Sequence, residues 1–256
     1  MKILITNDDG IHAAGLLSLY NAVKDLGQIT VVAPDTERSA AGHSITLHDP
    51  LRVEEVIKDG NLFGYAVNGT PADCVKIAVR AILKPEDKPD LVLSGINLGA
   101  NLGISVVYSG TVSAATEGII LGIPSIAISL TTYENPNFKF SGKFIRKFIK
   151  SLDLKAFPVD TLLNINVPAI PEDEIVGTKV TFQGKSRFKE RFDKRIDPHS
   201  KIYYWLTGEV LEKGNEIKSD NHAIKNKKVS ISPIHYDMTN YKVVSSLENM
   251  IKKMGI

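Results

Sequence analysis

Short apolar runs alternate with longer stretches of helical periodicity through the first two-thirds of this chain. Lys2–Thr6 reads as a strand, and residues 14–26 read as an amphipathic helix ending at Gly27. Residues 29–33 form a second apolar run, stopped by Pro34, and residues 63–67 a third. Thr70-Pro71-Ala72-Asp73 then opens a helix to about Leu83, with Thr70 as N-cap, Pro71 at the first helical position and Asp73 in the first turn. Residues 90–94 predict a buried strand, 111–121 a helix ending at Gly122, 124–129 a strand, 141–151 a basic amphipathic helix and Leu162–Val167 a strand. Strands alternating with helices predict an α/β fold, with a doubly wound, mostly parallel sheet and helices on both faces.

The pattern changes after Pro168. Residues 179–183 and Ile202–Leu211 alternate in the manner of antiparallel strands, with a basic and aromatic stretch at 185–195 between them. Residues 229–234 predict another strand and residues 241–254 a closing helix. With no repeat or low-complexity linker, the expectation is one domain over residues 1–256. Residues 1–170 would be its α/β core, and 171–256 a β-rich C-terminal extension with a terminal helix.

The first strand hands over to the first helix through Asn7-Asp8-Asp9-Gly10. In open α/β sheets that edge is where ligands bind. Adjacent carboxylates repel, and a hard divalent cation with oxygen ligands removes the conflict. The plainer alternative is a loop with Asp9 as a helix N-cap, which leaves Asp8 without a role.

Composition narrows the function classes. The 256 residues are 43% hydrophobic and 23% charged, ordinary for a globular protein. A net charge of +2 gives no footprint for a nucleic acid polymer or a membrane surface. Cys74 is the one cysteine, so no intrachain disulfide or cysteine metal cluster is expected, and its apolar helical surroundings suit a buried small hydrophobe. Met1-Lys2 leads straight into a strand too short for a secretory signal, and no apolar stretch spans a bilayer, so the expected location is the cytoplasm.

Three further loops belong to the same sheet edge. The loop from Thr36 to Ser44 contains Ser39, a hydroxyl donor for a metal, with Gly42 and His43 among small residues that suit close approach of a ligand; an ordinary polar surface loop is the alternative. Residues 95–103 hold three glycines with Asn97 and Asn101, either turn formers or amide-oxygen donors for Mg²⁺ or Mn²⁺. Ser109-Gly110-Thr111 starts a helix with free N–H groups, two hydroxyls and the positive end of a dipole, the parts of a phosphate site or of a simple cap. The Walker A pattern, the Gly-x-Ser-x-Gly elbow and a catalytic-cysteine signature are all absent. Together the loops predict a metal that polarises a phosphoryl group, hence phosphate ester hydrolysis. The candidate catalytic residues are Asp8, Asp9 and Asn97. Asn7, Gly42, His43, Asn101, Ser109, Gly110 and Thr111 are candidates for holding phosphate and substrate. His235, just after the strand at 229–234, is a candidate proton donor, while His43, His199, His222 and His235 show no metal spacing with one another.

The chain resembles the SurE family, the stationary-phase survival proteins that act as metal-dependent nucleotidases. The resemblance rests on Thr6-Asn7-Asp8-Asp9-Gly10, on Ala33-Pro34-Asp35 through Glu37-Arg38-Ser39-Ala40 to Gly42-His43-Ser44, and on Gly69-Thr70-Pro71-Ala72-Asp73-Cys74-Val75. It rests further on Ser94-Gly95-Ile96-Asn97, on Tyr108-Ser109-Gly110-Thr111-Val112-Ser113-Ala114-Ala115 and on Asn164-Ile165-Asn166-Val167-Pro168. It implies a Rossmann-like core and an extension that exchanges elements between subunits, giving a homodimer or homotetramer. It implies one divalent ion per subunit, Mg²⁺ or Mn²⁺, held by Asp8, Asp9, Ser39 and Asn97. It implies nucleoside 5′- and 3′-monophosphates as substrates, and in some members short polyphosphate. Asp220 and Ala223 match a family Asp-x-x-Ala position, while Asn226-Lys227-Lys228 departs from the usual Gly-aromatic lead-in to the last strand.

Other readings fit less well. A receiver domain, a signalling module, needs a phosphoacceptor Asp at the end of a central strand, where this chain has Ser94. A haloacid-dehalogenase-type phosphatase spaces its acids as Asp-x-Asp, and a non-catalytic Rossmann nucleotide binder carries Gly-x-Gly-x-x-Gly after its first strand. Phe188, Phe192, Tyr203, Tyr204 and Trp205 among basic residues predict that 185–211 is an intersubunit arm.

Overall fold

The computed structural model describes residues 1–211 and 216–254, without the side chains of residues 187–188 and 209–211. Its strands are β1 (Lys2–Thr6), β2 (Gln28–Pro34), β3 (Val53–Lys58), β4 (Asn61–Val67), β5 (Leu91–Leu98), β6 (Ser125–Leu130), β7 (Leu162–Val167), β8 (Gly177–Val180), β9 (Arg187–Ile196), β10 (Ile202–Leu211) and β11 (Lys228–Ile234). Its α-helices are α1 (Ala14–Val23), α2 (Pro71–Ile77), α3 (Ser105–Tyr108), α4 (Gly110–Ile120), α5 (Lys139–Ser151), α6 (Asp220–Lys225) and α7 (Tyr241–Lys253). Nine strands make one sheet in the order β3-β4-β2-β1-β5-β6-β7-β11-β8. The run from β4 to β7 is parallel throughout, while β3 is antiparallel to β4 and β11 to β7.

The central strands read as unbroken apolar runs because both faces are covered. Ile3, Ile5, Leu91 and Leu93 are buried with Leu16 and Leu19 of α1 and Ile145 and Ile149 of α5. Leu4 and Val92 face the other way, against Cys74 and Val75 of α2 and Ala114 of α4. Each such aliphatic side chain contributes about 1.5–3 kcal/mol by leaving water. Helix starts follow local chemistry. Thr70 and Asp73 form a reciprocal capping box at α2 (Thr70 Oγ1 accepts the Asp73 N–H at 3.1 Å), and Ser109 Oγ caps α4 by accepting the Val112 N–H at 3.1 Å. The N-cap of α1 is Ala13, so Asp9 does not cap that helix.

Three features differ from the sequence pattern. β5 continues to Leu98, and its pairing with β6 shifts register between Ser94 and Asn97, so the residues read as the start of a loop are the end of a strand. The later residues add β11 and β8 to the main sheet rather than standing apart from it. The basic stretch at 185–195 is itself largely a strand: β9 pairs with β10 in an antiparallel hairpin outside the main sheet. That hairpin exposes Phe192, Tyr204, Trp205 and Leu206, and α7 exposes Leu247, Met250 and Ile251. The side chain of Phe188 lies outside those described. Among the described residues, no helix is long and apolar enough to cross a membrane.

Candidate active site

The chain places β2 and β4 on one side of β1 and then crosses to place β5, β6 and β7 on the other, which makes the gap between β1 and β5 the topological switch point. Ligands bind at the carboxyl ends of strands at such a point. Asp8 and Asp9 follow β1 with Asn7 between, and Asn97 is the penultimate residue of β5. The two strands are tied there: the Leu98 N–H donates to Asp9 Oδ2 at 3.3 Å. The Asn97 Nδ2 donates to the Gly99 carbonyl at 2.8 Å, which leaves Oδ1 as the amide atom for a hard cation.

Asp8 is buried at 5% exposure. Burial raises its pKa, and the hydroxyl of Thr111, donating to Oδ1, works against that rise. The Asp9 carboxyl is pushed up to about 6, first by burial and then by the charge of Asp8. Glu37 adds a third negative charge acting on both. Desolvated like charges of this kind are costly without a cation. Among the described residues no three His, Cys, Asp or Glu side chains gather as a metal set, so a cation here would need mixed donors. Two carboxylates with the Asn97 amide oxygen are hard ligands of the type Mg²⁺ and Mn²⁺ take, so the residues present fit such an ion.

The start of α4 packs directly on this pair. A Cβ at Gly110 would stand 2.7 Å from Asp8 Cβ and 2.8 Å from its Oδ2, so only glycine lets helix and carboxylate meet. Thr111 is fully buried, and its hydroxyl is committed to Asp8. Ser109 is buried as the cap, and its carbonyl accepts the Ser113 hydroxyl at 2.6 Å. The Val112 N–H is taken by the Ser109 cap, and both the hydroxyl and the N–H of Thr111 act on Asp8, so the helix start offers an anion its dipole and the Gly110 N–H.

The remaining candidates fall at graded distances from this centre. The Arg38 N–H donates to the Asp8 carbonyl at 2.8 Å, which ties this loop to the main chain of the acid pair, while the Ser39 hydroxyl donates to Glu37 Oε1 at 2.5 Å. The Gly42 N–H donates to the Tyr108 carbonyl at 3.0 Å, so this loop is pinned to the segment leading into α4. Asn7 is fully buried; its Nδ2 donates to the Gly10 carbonyl at 2.9 Å, and its Oδ1 has no partner among the described residues. The Asn101 Nδ2 donates to Ser129 Oγ at 2.8 Å, and its main chain is held by Asn164 and Asn166, so this amide serves a buried polar network. His43 Nε2 lies 3.1 Å from Glu117 Oε2, facing α4 rather than the acid pair. His235 follows β11 directly. β11 runs antiparallel to β7, with Ile234 registered on Leu162, the first residue of β7. His235 thus sits at the opposite sheet edge, about 17 Å along a six-residue strand from the carboxyl ends. It lines a cavity of about 650 Å³ together with His43 and with Val112, Ser113 and Thr116 of α4.

Sequence reasoning passed over Glu37 and Glu117. Glu117 is 2% exposed on α4, and Lys76 Nζ lies 2.8 Å from its Oε1. Burial works to raise its pKa, and His43 and Lys76 outweigh burial, leaving it below the ordinary glutamate value. A lone Glu in an apolar helix, two places after the Ala114-Ala115 pair, was the available signal.

Fold and site together define a doubly wound α/β protein whose paired acids and helix N-terminus share one switch point. A family model described as Survival protein SurE matches residues 3–190, and the chain belongs to that family. It is 51% identical over 256 residues to "5'-nucleotidase SurE" of Syntrophus aciditrophicus, covering 99% of this chain and 95% of that protein. It is 47% identical to the protein of the same description from Syntrophobacter fumaroxidans, covering 96% of this chain and 98% of the relative. The solved structure of the SurE protein from Aquifex aeolicus superposes with a TM-score of 0.83 at 46% identity, covering 98% of this chain and 99% of that one.

Proposed function

We propose that this chain is a divalent-metal-dependent 5′-nucleotidase that hydrolyses nucleoside monophosphates to nucleoside and phosphate. One observation carries the reading: Thr111 and Gly110, at the start of α4, contact Asp8 itself, so a cation-accepting pair and an anion-accepting helix start form one unit. Asp8, Asp9, Ser39 and Asn97 would hold the ion. When bound, a divalent cation supplies Lewis-acid polarisation of a phosphoryl oxygen and lowers the pKa of water. The chain's own residues do the rest. The α4 dipole and the Gly110 N–H orient the phosphate, Thr111 fixes the Asp8 carboxylate, and the Leu98 N–H fixes that of Asp9. The names of the relatives support the substrate class.

Finer parts of the same proposal are Mg²⁺ or Mn²⁺ as the ion, 3′-monophosphates and short polyphosphate as further substrates, and a cytoplasmic location. The whole chain is read as one domain. Its hairpin β9–β10 and α7 would pair copies into a homodimer or homotetramer, which the exposed Trp205, Leu206 and Leu247 support. Phosphate release from the ribonucleoside monophosphates, glycerol phosphate and a sugar phosphate, with each of several divalent metals, tests the activity. Chelator-sensitive release that favours the nucleotides supports it. Equal kcat/KM for glycerol phosphate and AMP would refute nucleotide recognition, and nucleotide binding without release would mark a non-catalytic binding module.

A further inference from the structure

The segment from Asn97 to Thr111 joins the candidate metal ligand of β5 to the helix start of α4, and Gly103 lies at its middle. The first half is held by the sheet itself. Asn97 and Leu98 pair with β6, the Gly99 N–H donates to the Leu130 carbonyl at 2.9 Å, and the Asn101 N–H donates to Asn166 Oδ1 at 2.8 Å. The second half is held from the C-terminal residues.

Asp220, the first residue of α6, is wholly buried. Its Oδ2 accepts the Gly103 N–H at 2.8 Å, and its Oδ1 accepts the N–H groups of Gly184 at 2.9 Å and Asn221 at 2.7 Å. Gly103 is gripped on its other side too, since Gln183 Nε2 donates to its carbonyl at 2.8 Å. No side chain would fit between these holds: a Cβ on Gly103 would stand 2.1 Å from Ser186 Oγ. Beyond the clasp, the Ile104 N–H reaches the Ser186 carbonyl at 3.3 Å, and the Tyr108 carbonyl receives the Gly42 N–H at 3.0 Å. One carboxylate therefore sets the origin of the stretch that carries both the α4 start and the anchor of the Ser39 loop.

We propose that Asp220 is a positioning residue for the phosphate of the substrate, acting through Gly103 on residues 104–109. The proposal rests on the reading of the α4 start as the phosphate site. A carboxylate is needed because both of its oxygens take main-chain donors. An asparagine would turn an NH₂ group toward one of those N–H groups and leave a buried donor without an acceptor. Asn97 and Asp9 are held by the sheet, and of the acid pair only Asp8 touches the α4 start, so loosening the clasp should weaken the grip on phosphate more than the grip on the metal.

The test compares full-length wild type with Asp220→Asn, Gln183→Ala and Asp8→Asn, with folding checked by circular dichroism and Tm. Folded Asp220→Asn should raise the KM for AMP and the inhibition constant of inorganic phosphate about tenfold together. Its kcat should change less than about threefold, and its metal affinity should fall by less than about threefold, well short of the loss in phosphate binding. Gln183→Ala should show the same split at roughly two- to threefold, and it decides the matter if Asp220→Asn does not fold. Unchanged KM and phosphate inhibition, or a loss carried by kcat alone, would overturn the role of Asp220. Full activity in Asp8→Asn is a separate outcome, because it would remove the site reading on which the proposal stands.

Discussion

The β1–β5 edge and the β9–β10 hairpin with α7 break the ordinary rules of burial in opposite directions. At the edge, the Asp8 carboxylate and several amides are taken out of water, with the half-buried Asp9 carboxylate held beside them. On the hairpin and helix, Trp205, Leu206, Leu247 and Met250 are left in it. Neither arrangement stabilises an isolated metal-free chain. The first keeps like charges together in a place with low solvation, and the second leaves apolar area unburied. Departures of this kind concentrate where a chain meets something else, and the polarity of the departure says what. Buried acids call for a cation and exposed apolar faces call for another protein surface.

The largest expected effect lies at the acid pair. Asp8→Asn or Asp9→Asn should lower kcat/KM roughly 10²-fold or more, and exhaustive chelation should abolish phosphate release from the wild type. The same substitutions relieve repulsion, so the metal-free variants should melt no lower than the metal-free wild type. A clearly lower Tm would show that the pair is part of the scaffold and would break the contrast.

Gly110→Val comes next. As a phosphate-loop glycine it would be expected to raise KM alone. The 2.7 Å approach of a Cβ at Gly110 to Asp8 Cβ predicts that metal affinity falls with it, each by about tenfold. Titration calorimetry with Mn²⁺ on this variant would separate the two, and wild-type metal affinity would contradict the shared contact.

A third effect is smaller and depends on pH. The Asp9 carboxyl is held near 6 in the fold, above its ordinary 3.8. The folded metal-free chain therefore binds this proton more tightly than the unfolded chain does. The stabilisation it contributes is present at low pH and is lost as pH rises through about 6. A bound divalent ion neutralises the pair, so the rise in Tm on adding metal should grow between pH 5 and pH 7. A metal-induced shift that is flat across that range would count against ligation by Asp9.

The smallest effect on activity should come from the second region. Trp205→Ser with Leu247→Ser should lower the mass measured by light scattering at working concentration. Activity per chain should stay within about threefold if the site is complete in one subunit. A wild-type chain that is already monomeric would remove the oligomer from the proposal.

Local chemistry was enough for much of this molecule. The apolar runs named most strands of the parallel sheet because strands buried on both faces must be apolar throughout, and Thr70-Pro71-Ala72-Asp73 announced α2 because a capping box needs only its own four residues. Asp8-Asp9 stood out because adjacency is visible without a fold. Tertiary structure alone decided what depends on partners far along the chain. It set Gly110 against Asp8, joined Asp220 to Gly103 across 117 positions, and extended β5 to Leu98 through pairing with β6. It also turned His235 to the far edge, because the direction of β11 beside β7 is fixed by sheet packing and not by the alternation of residues 229–234. Periodicity records which face of an element is buried. Direction, register and the depth of a lone polar group are properties of the whole packing, and they are settled only when the elements meet.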